Sequence, residues 1–454
     1  MEKPLPGMSP GPTATDPRVV AAFHDALAWR GLAAAVVLAA VLLVWWRLKS
    51  LQLRAAAAGQ LPERHQLLSE APGRKAIRVA FGLLFVFDGF LQTQPAMPEG
   101  LVPRVIKPTA DLSARFVQVV VAGGTSPWRH HPVTAAAAVV FIQVGIGLML
   151  LVAPRGLWSR LAGGAALFWA LLVWTVGESF GGLFAPGGSV LFGLPGAALF
   201  YVLAGGLVAL PERHFSDGRL GRLLLRLLGC FLLGMALLQA WPGRGFWRSG
   251  AGNPVSEMAR QMARVAQPAV FTSVVRSFSG FSASHGFDVN LAVVVLLALI
   301  GSLLLLRGDL ALRLGLGLLV LFALATWLLV QDLGFFGGLG TDPNSMVPLI
   351  VIALCAYVAR CRPSPAEAES PVRSGEALST RLRQAAIERP TFLLRSTAAA
   401  AALGVVLIGA IPMAAAAVGS ALGPAAHRPA AAAEMTGRLA RLPGATRSAA
   451  GGGR

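Results

Sequence analysis

The sequence predicts an all-α polytopic membrane protein of about ten transmembrane helices, built as two tandem four-helix modules in parallel orientation with one flanking helix at each end. Three observations lead there. Of the 454 residues, 55% are hydrophobic and only 13% charged, with a mean hydropathy of +0.65, whereas soluble domains carry about 25% charged residues. The apolar residues run unbroken over lengths near the roughly 17–25 residues that cross a bilayer core. The second observation is a repeat. The stretch WTVGESFGGLFAPGGSVLFGLPGAALFY (Trp174 to Tyr201) returns, altered, as WLLVQDLGFFGGLGTDPNSMVPLIVIALCAY (Trp327 to Tyr357). Trp174 and Trp327 stand 153 positions apart, as do Pro195 and Pro348, and Arg160 and Arg313. Upstream, LQTQP (Leu91 to Pro95) returns as LQAWP (Leu238 to Pro242) at 147, an offset that Gly82 and Gly229 share. Collinear anchors with one small change of length mark an internal duplication.

The third observation is where the charges fall. Loops 178–187 and 332–343 hold no Lys or Arg, while loops 154–160, 211–222 and 307–313 each hold two or more. Basic residues stay on the cytoplasmic side, so both repeated loops and both chain ends are expected outside. An even number of spans per module keeps the two modules in one direction, related by an axis along the membrane normal. The net charge of +18 comes from 39 basic and 21 acidic residues. Its basic residues form no patch with interleaved aromatics, so no nucleic acid is expected as partner; the lipid bilayer is.

In chain order, residues 1–28 read as an extracytoplasmic tail. A first span over 29–48 has its heavier basic flank after it, the reverse of a cleaved signal peptide. A basic cytoplasmic linker covers 49–75. The first module (76–210) has spans near 76–94, 132–153, 158–178 and 188–210; the second (221–360) near 221–241, 287–306, 309–331 and 344–360. A cytoplasmic linker (362–392), a last Ala-rich span (393–418) and an extracytoplasmic tail (419–454) follow. Each module carries a long outer loop. In the first, Asp111 to Val121 places Leu112, Phe116, Val119 and Val120 on one helical face; in the second, Met258, Met262 and Val265 share a face. Both read as amphipathic helices lying on the outer leaflet or capping the bundle. The cysteines Cys230, Cys355 and Cys361 show no C-x-x-C spacing, so no disulfide framework or zinc site is implied.

The pattern Arg78-x-x-x-Gly82-Leu-Leu-Phe with Gly89 opening a four-span unit, and the later GIGLMLLVAPRGLWSRLAG (Gly145 to Gly163), resembles DoxX-like membrane proteins. The resemblance covers roughly residues 76–360, one unit per half. It implies a link to quinone-coupled sulfur oxidation, maturation of periplasmic redox enzymes or complexes that detoxify oxidants, with a periplasmic or membrane redox protein as partner. The second half departs from it, with Met235 where Asp88 aligns, and neither half has a redox-active Cys pair.

Three constellations are candidates for chemistry. Asp88 lies eleven residues past Ile77, about 16 Å into a core about 30 Å thick. A carboxylate at that depth is costly and marks a functional candidate. Gln143, at comparable depth from the other side, is its expected hydrogen-bond partner, either as interhelical glue or as a proton or quinone-headgroup contact. The second is an outer rim of Gln92, Gln94 and Glu178, with Gln239, Gln331 and Asp332 at the related positions of the second half. Asp342 and Asn344, in TDPN, read first as a turn and N-cap. Together these predict two shallow pockets under Gly-rich loops. The third, His130, His131 and His285, begins equivalent spans and offers imidazole for a metal or haem.

No G-x-x-x-x-G-K-[ST], H-E-x-x-H, G-x-S-x-G or strand-borne G-x-G-x-x-G occurs, so ATP-driven transport, zinc proteolysis and serine hydrolysis are unsupported. The leading reading is a bacterial plasma-membrane accessory or scaffold subunit without catalysis of its own. The rivals are a secondary transporter with a midplane site between the modules, and a haem- or quinone-binding oxidoreductase. No cofactor is required by the sequence; quinone and haem stay open.

Overall fold

The computed structural model describes residues 15–57, 70–250, 252–360 and 377–422 of the chain. Residues 1–14 of the expected N-terminal tail, 58–69 and 362–376 of the two expected linkers, and 423–454 of the C-terminal tail lie outside them, as does Cys361. Among the described residues the chain is all-helical, with no strand. The principal helices are α1 (Pro17–Ala57), α2 (Pro72–Leu91), α3 (Arg115–Gly124), α4 (Pro132–Val152), α5 (Gly156–Leu172), α6 (Ala197–Ala209), α7 (Arg219–Ala240), α8 (Pro254–Met262), α9 (Ala269–Ser284), α10 (Gly286–Leu305), α11 (Asp309–Leu329), α12 (Met346–Ala359) and α13 (Ala377–Leu422). Proline occupies the first turn of α2, α4 and α8, where its missing N–H costs nothing and its fixed φ suits a helix start.

Among the described residues seven helices, rather than the expected ten, are long and apolar enough to cross a membrane, lying within α1, α4, α5, α7, α10, α11 and α13. The shortfall has local causes. Helix α2 carries Arg74, Lys75, Arg78 and Asp88 within its 20 residues. The span expected over 188–210 is helical only from Ala197, because Gly193 and Gly196 adopt positive φ. Helix α6 therefore has 13 residues and α12 has 14, roughly 20 Å at 1.5 Å per residue. At the N-terminus, helix begins at Pro17, inside the expected tail.

Helix α4 is central: 78% of its apolar window is buried, against 39% or less in every other candidate span. Small residues set its contacts, since bilayer helices gain by close backbone approach. A Cβ on Gly147 of α4 would lie 2.7 Å from the Gly82 carbonyl oxygen of α2. On another face, a Cβ on Gly409 of α13 would lie 2.3 Å from the Ala138 carbonyl oxygen. The last helix is thus seated in the bundle, and α1 packs along it and α4. In the second half Gly301 of α10 meets Gly229 of α7 in the same way, a Cβ lying 2.8 Å from the Gly229 oxygen.

One end of the bundle is tied by arginines. Arg74 is 1% exposed and donates to Glu70 Oε1 (2.9 Å), the Pro154 (2.6 Å) and Val208 (2.8 Å) carbonyls and Ser159 Oγ (2.8 Å). Arg78 donates to both Glu70 oxygens and to the Leu150 and Leu151 carbonyls. Two cations thereby satisfy the free carbonyls that end α4 and α6.

At the opposite end the two repeated loops share a backbone signature. Ser179, Phe180 and Gly181 have φ of 50°, 61° and 61°; Asp332, Leu333 and Gly334, each 153 positions on, have 49°, 59° and 80°. Trp174 Nε1 donates to the Pro195 carbonyl (2.8 Å) and Trp327 Nε1 to the Leu333 carbonyl (3.0 Å). The loops touch: Gln331 Nε2 donates to the Leu191 carbonyl at 3.2 Å.

The outer segments depart from expectation in one half. No single helix runs from Asp111 to Val121, because Ser113 is extended and divides it. In α3 the residues turned inward are Val117 and Val121, while Phe116, Val119 and Val120 are exposed. In the second half Met258 and Met262 of α8 are buried as a cap, with Val265 packed beyond the helix end. Helix α9, unforeseen, is pinned to it by reciprocal bonds: Ser256 Oγ to the Ser279 carbonyl (2.8 Å) and Ser279 Oγ to the Ser256 carbonyl (2.9 Å).

Candidate functional site

Helix α2 places Phe81, Phe85 and Asp88 on one face at i, i+4 and i+7, with Gln92 closing its C-terminal end. Tyr201 of α6 sits against this face, edge-on to Phe81 and Phe85 at ring-centroid distances of 5.1 and 5.0 Å. Its hydroxyl faces the Asp88 carboxyl without reaching ordinary hydrogen-bond geometry. Beside this stack opens a cavity of about 280 Å³.

Its wall comes from both halves of the chain. Asp88 and Gln92 of α2, Gln143 of α4, Trp169 of α5, Tyr201 of α6 and Glu178 line it from the first half. Thr341, Asp342, Asn344 and Ser345 close it from the second, and Met413 of α13 adds an apolar contact. Two π-helical turns, Leu101–Ile106 and Val173–Gly177, also reach the wall; such turns misalign the backbone ladder and occur often at functional sites.

The polar groups here lack partners among the described residues. Asp88 Oδ1, Gln92 Oε1, Gln143 Oε1, Glu178 Oε2, Tyr201 Oη and Trp169 Nε1 are all buried without a hydrogen bond. The expected Asp88–Gln143 bond is not formed; both residues face the cavity instead. A buried polar group left unpaired costs roughly 1–3 kcal/mol, so a wall holding six is built for something that satisfies them.

The helix preceding Glu178 ends at Gly177, and its Oε1 accepts from the Ala198 N–H at 3.0 Å, at the start of α6. Part of the residue's surface is exposed, but Oε2 is enclosed. Burial, reinforced by the nearby Asp342, pushes its carboxyl up to about 8, against the pull of the Ala198 and Ala197 N–H groups. No Cβ fits at position 196, where it would lie 2.2 Å from Glu178 Oε2. Asp342 does serve as a local cap, accepting from Thr341 Oγ1 and the Asn344 N–H, each at 2.8 Å, and burial raises its carboxyl too.

The rim positions of the second half behave differently. Gln239 accepts from Ser189 Oγ at 2.6 Å and donates to Asn290 Oδ1 at 2.8 Å. Gln331 Nε2 reaches Ser345 Oγ at 3.1 Å although its Oε1 is buried without a partner, and Asn344 Nδ2 donates to the Gln331 carbonyl at 2.8 Å. These amides join helices and loops. A smaller pocket of about 80 Å³ opens beside Gln331 and Asp332, sharing Val105, Thr341 and Asn344 with the large one. Asp332 is buried with Oδ1 unpaired, and burial pushes its carboxyl up to about 7 although Gln267 pulls the other way. Two pockets therefore exist, but they are unequal and adjacent. Gln94 lies between them in function only as a tie, donating to the Gly340 carbonyl at 3.0 Å.

The histidines are not assembled. His130, His131 and His285 are exposed; Nδ1 of His130 pairs with the Ser126 carbonyl (2.8 Å), and Nδ1 of His285 with Ser284 Oγ (2.8 Å). Among the described residues no group of three or more His, Cys, Asp or Glu is placed to hold a metal ion. Sequence reasoning overlooked Tyr201, one of only two tyrosines in the chain. A tyrosine inside an apolar helix needs a partner for its hydroxyl, and that was the available signal. No protein-family model, curated protein or solved structure matches this chain.

Proposed function

We propose that the protein is a secondary transporter whose substrate site is the cavity around Asp88, with proton binding in that cavity coupled to substrate binding. The observation that carries this reading is the set of six buried, unpartnered polar groups facing one cavity walled by both halves of the chain. A site between halves is where parallel-repeat transporters hold substrate, and buried carboxyls are the usual proton carriers. The matched left-handed triplets and matched glycine pairs support reading the halves as tandem modules. The end bearing Arg74, Arg78 and Arg155 is then cytoplasmic in a bacterial plasma membrane, and the cavity end faces outward.

A cavity of about 280 Å³ lies near the small end of ligand pockets, so the substrate is a small molecule with an apolar body. The test is flux. Proteoliposomes holding a pH-sensitive dye are exposed to a panel of small apolar compounds with cationic, neutral and anionic heads. A compound that changes internal pH with wild type, and not with Asp88→Asn, supports the reading. No pH change from any compound sinks it.

A second reading, the accessory role in a redox or assembly process that the DoxX-like resemblance implies, is favoured by a different surface. Phe116 and Phe184 are about half exposed, and with Phe180 they form an edge-to-face trio at ring-centroid distances of 4.9 to 5.9 Å. An apolar aromatic patch at the rim suits a partner protein or lipid.

A further inference from the structure

Resting on the transporter reading, we propose that the substrate is a primary ammonium ion with a small apolar body, and that it enters in exchange for a proton held on the cavity's carboxyls. Three carboxyl groups, Asp88, Glu178 and Asp342, face the cavity, and no Lys, Arg or His is among the residues lining it. They lie close enough to repel one another electrostatically. The protein thus supplies several potential negative charges to an enclosed space and no counter-cation of its own.

The acids alone would not define a ligand; the unpaired atoms do. Of the six unpaired atoms, Asp88 Oδ1, Glu178 Oε2, Gln92 Oε1 and Gln143 Oε1 can accept, Tyr201 Oη can accept or donate, and only Trp169 Nε1 is a donor alone; an ammonium carries three donors and no acceptor. Asp342 differs in kind, since both its oxygens already accept bonds from Thr341 and Asn344; it contributes field rather than a free lone pair. The rest of the wall suits an apolar body: Phe85, Trp128 and Trp169 present aromatic surface, and a cation beside an aromatic face gains further attraction. A quinone, whose carbonyls only accept, could pair with Trp169 Nε1 and Tyr201 Oη but would leave the four acceptors unsatisfied.

The exchange balances in charge and atoms. Without substrate, burial holds the Glu178 carboxyl protonated near neutral pH. An entering R–NH3⁺ pairs with the carboxylate, and the displaced proton leaves to water, so the cavity's net charge is the same before and after. Inward movement of the cation thus drives a proton the other way.

The experiment uses the full-length protein in nanodiscs and the probe 2-phenylethylamine, a cation at neutral pH, with 2-phenylethanol as its uncharged analogue. Calorimetry in two buffers of different ionisation enthalpy counts protons. Binding of the amine about tenfold or more tighter than the alcohol, as charge-assisted hydrogen bonds imply, with about one proton released per cation, is the expected result. Glu178→Gln should lower the number of protons released, and Glu178→Asp should restore part of it, which a merely structural role would not do. Equal binding of alcohol and amine, or amine binding without proton release, overturns the proposal. If neutral compounds change internal pH in the flux assay while the amine does not bind, the transporter reading survives and the ammonium assignment fails.

Discussion

Asp88 and Asp342 come from different halves of the chain, yet their carboxyl groups face the same cavity. Asp88 projects from the last turn of α2, whereas Asp342 is presented by the loop before α12. Their meeting makes the loop of one half a wall of the other half's site.

Asp88→Asn keeps shape and removes the titratable oxygen. Its expected effect is a loss of at least about tenfold in proton-linked flux, the factor that corresponds to 1.4 kcal/mol, with little change in thermal midpoint because Asp88 Oδ1 makes no hydrogen bond that the amide would lose. Flux and unfolding measured on one preparation separate a coupling role from interhelical glue. Equal flux in both proteins would assign Asp88 to glue.

Stability in the substrate-free state should fall as pH rises from about 5 to about 8. Glu178 is pushed up to about 8 from an ordinary 4.5, and Asp332 to about 7 from 3.8. An acid whose folded pKa is raised binds its proton more tightly folded than unfolded, so folding is favoured while it stays protonated and loses that advantage above the unfolded pKa. Glu178→Gln should flatten the upper part of the profile, read as thermal midpoint against pH in detergent.

Gly147→Val should destabilise by roughly 1–3 kcal/mol, the range for overpacking a filled interior. The new Cβ would lie 2.7 Å from the Gly82 carbonyl oxygen and 2.9 Å from the Val86 nitrogen, forcing α2 from α4. Gly301→Val should do the same between α7 and α10. Gly164→Ala, with nothing within 4 Å, should be neutral or stabilising by about 0.4–1 kcal/mol. Denaturation curves of the three variants check the ranking.

Arg74→Met should cost about 3–5 kcal/mol, typical of removing one member of a buried ion pair. It strips bonds from Ser159 Oγ and from the Pro154 and Val208 carbonyls, while Arg78 keeps its hold on Glu70. Expression and midpoint should both drop; a midpoint unchanged within error would show that the cluster is not what fastens that end.

The matched tryptophans offer a smaller measurement. Trp174→Phe and Trp327→Phe each remove one loop hydrogen bond, at 2.8 and 3.0 Å, worth about 0.5–1.5 kcal/mol. Trp174→Phe should also disturb the cavity, since the Pro195 carbonyl it holds adjoins the Gly196 and Ala197 wall, whereas Trp327→Phe should leave substrate binding nearly unchanged.

The sequence by itself determined the membrane class, most helix positions and the polar residues worth attention, because hydropathy, helical period and a polar group in an apolar run are local properties. Asp88, Gln92, Gln143 and Glu178 stood out for that reason, and all four line one cavity. Only the tertiary structure decided which polar residues meet. Gln239, related by position to Gln92, is consumed by Ser189 and Asn290, while Asp342, first read as a cap, also closes the cavity of the other half. It also decided that residues 188–196 form a loop, which lets Glu178 reach the start of α6. Those outcomes depend on how closely Gly82 and Gly147 bring two helices together and on where the Gly-rich backbone turns, which are matters of shape between distant segments rather than of composition along one.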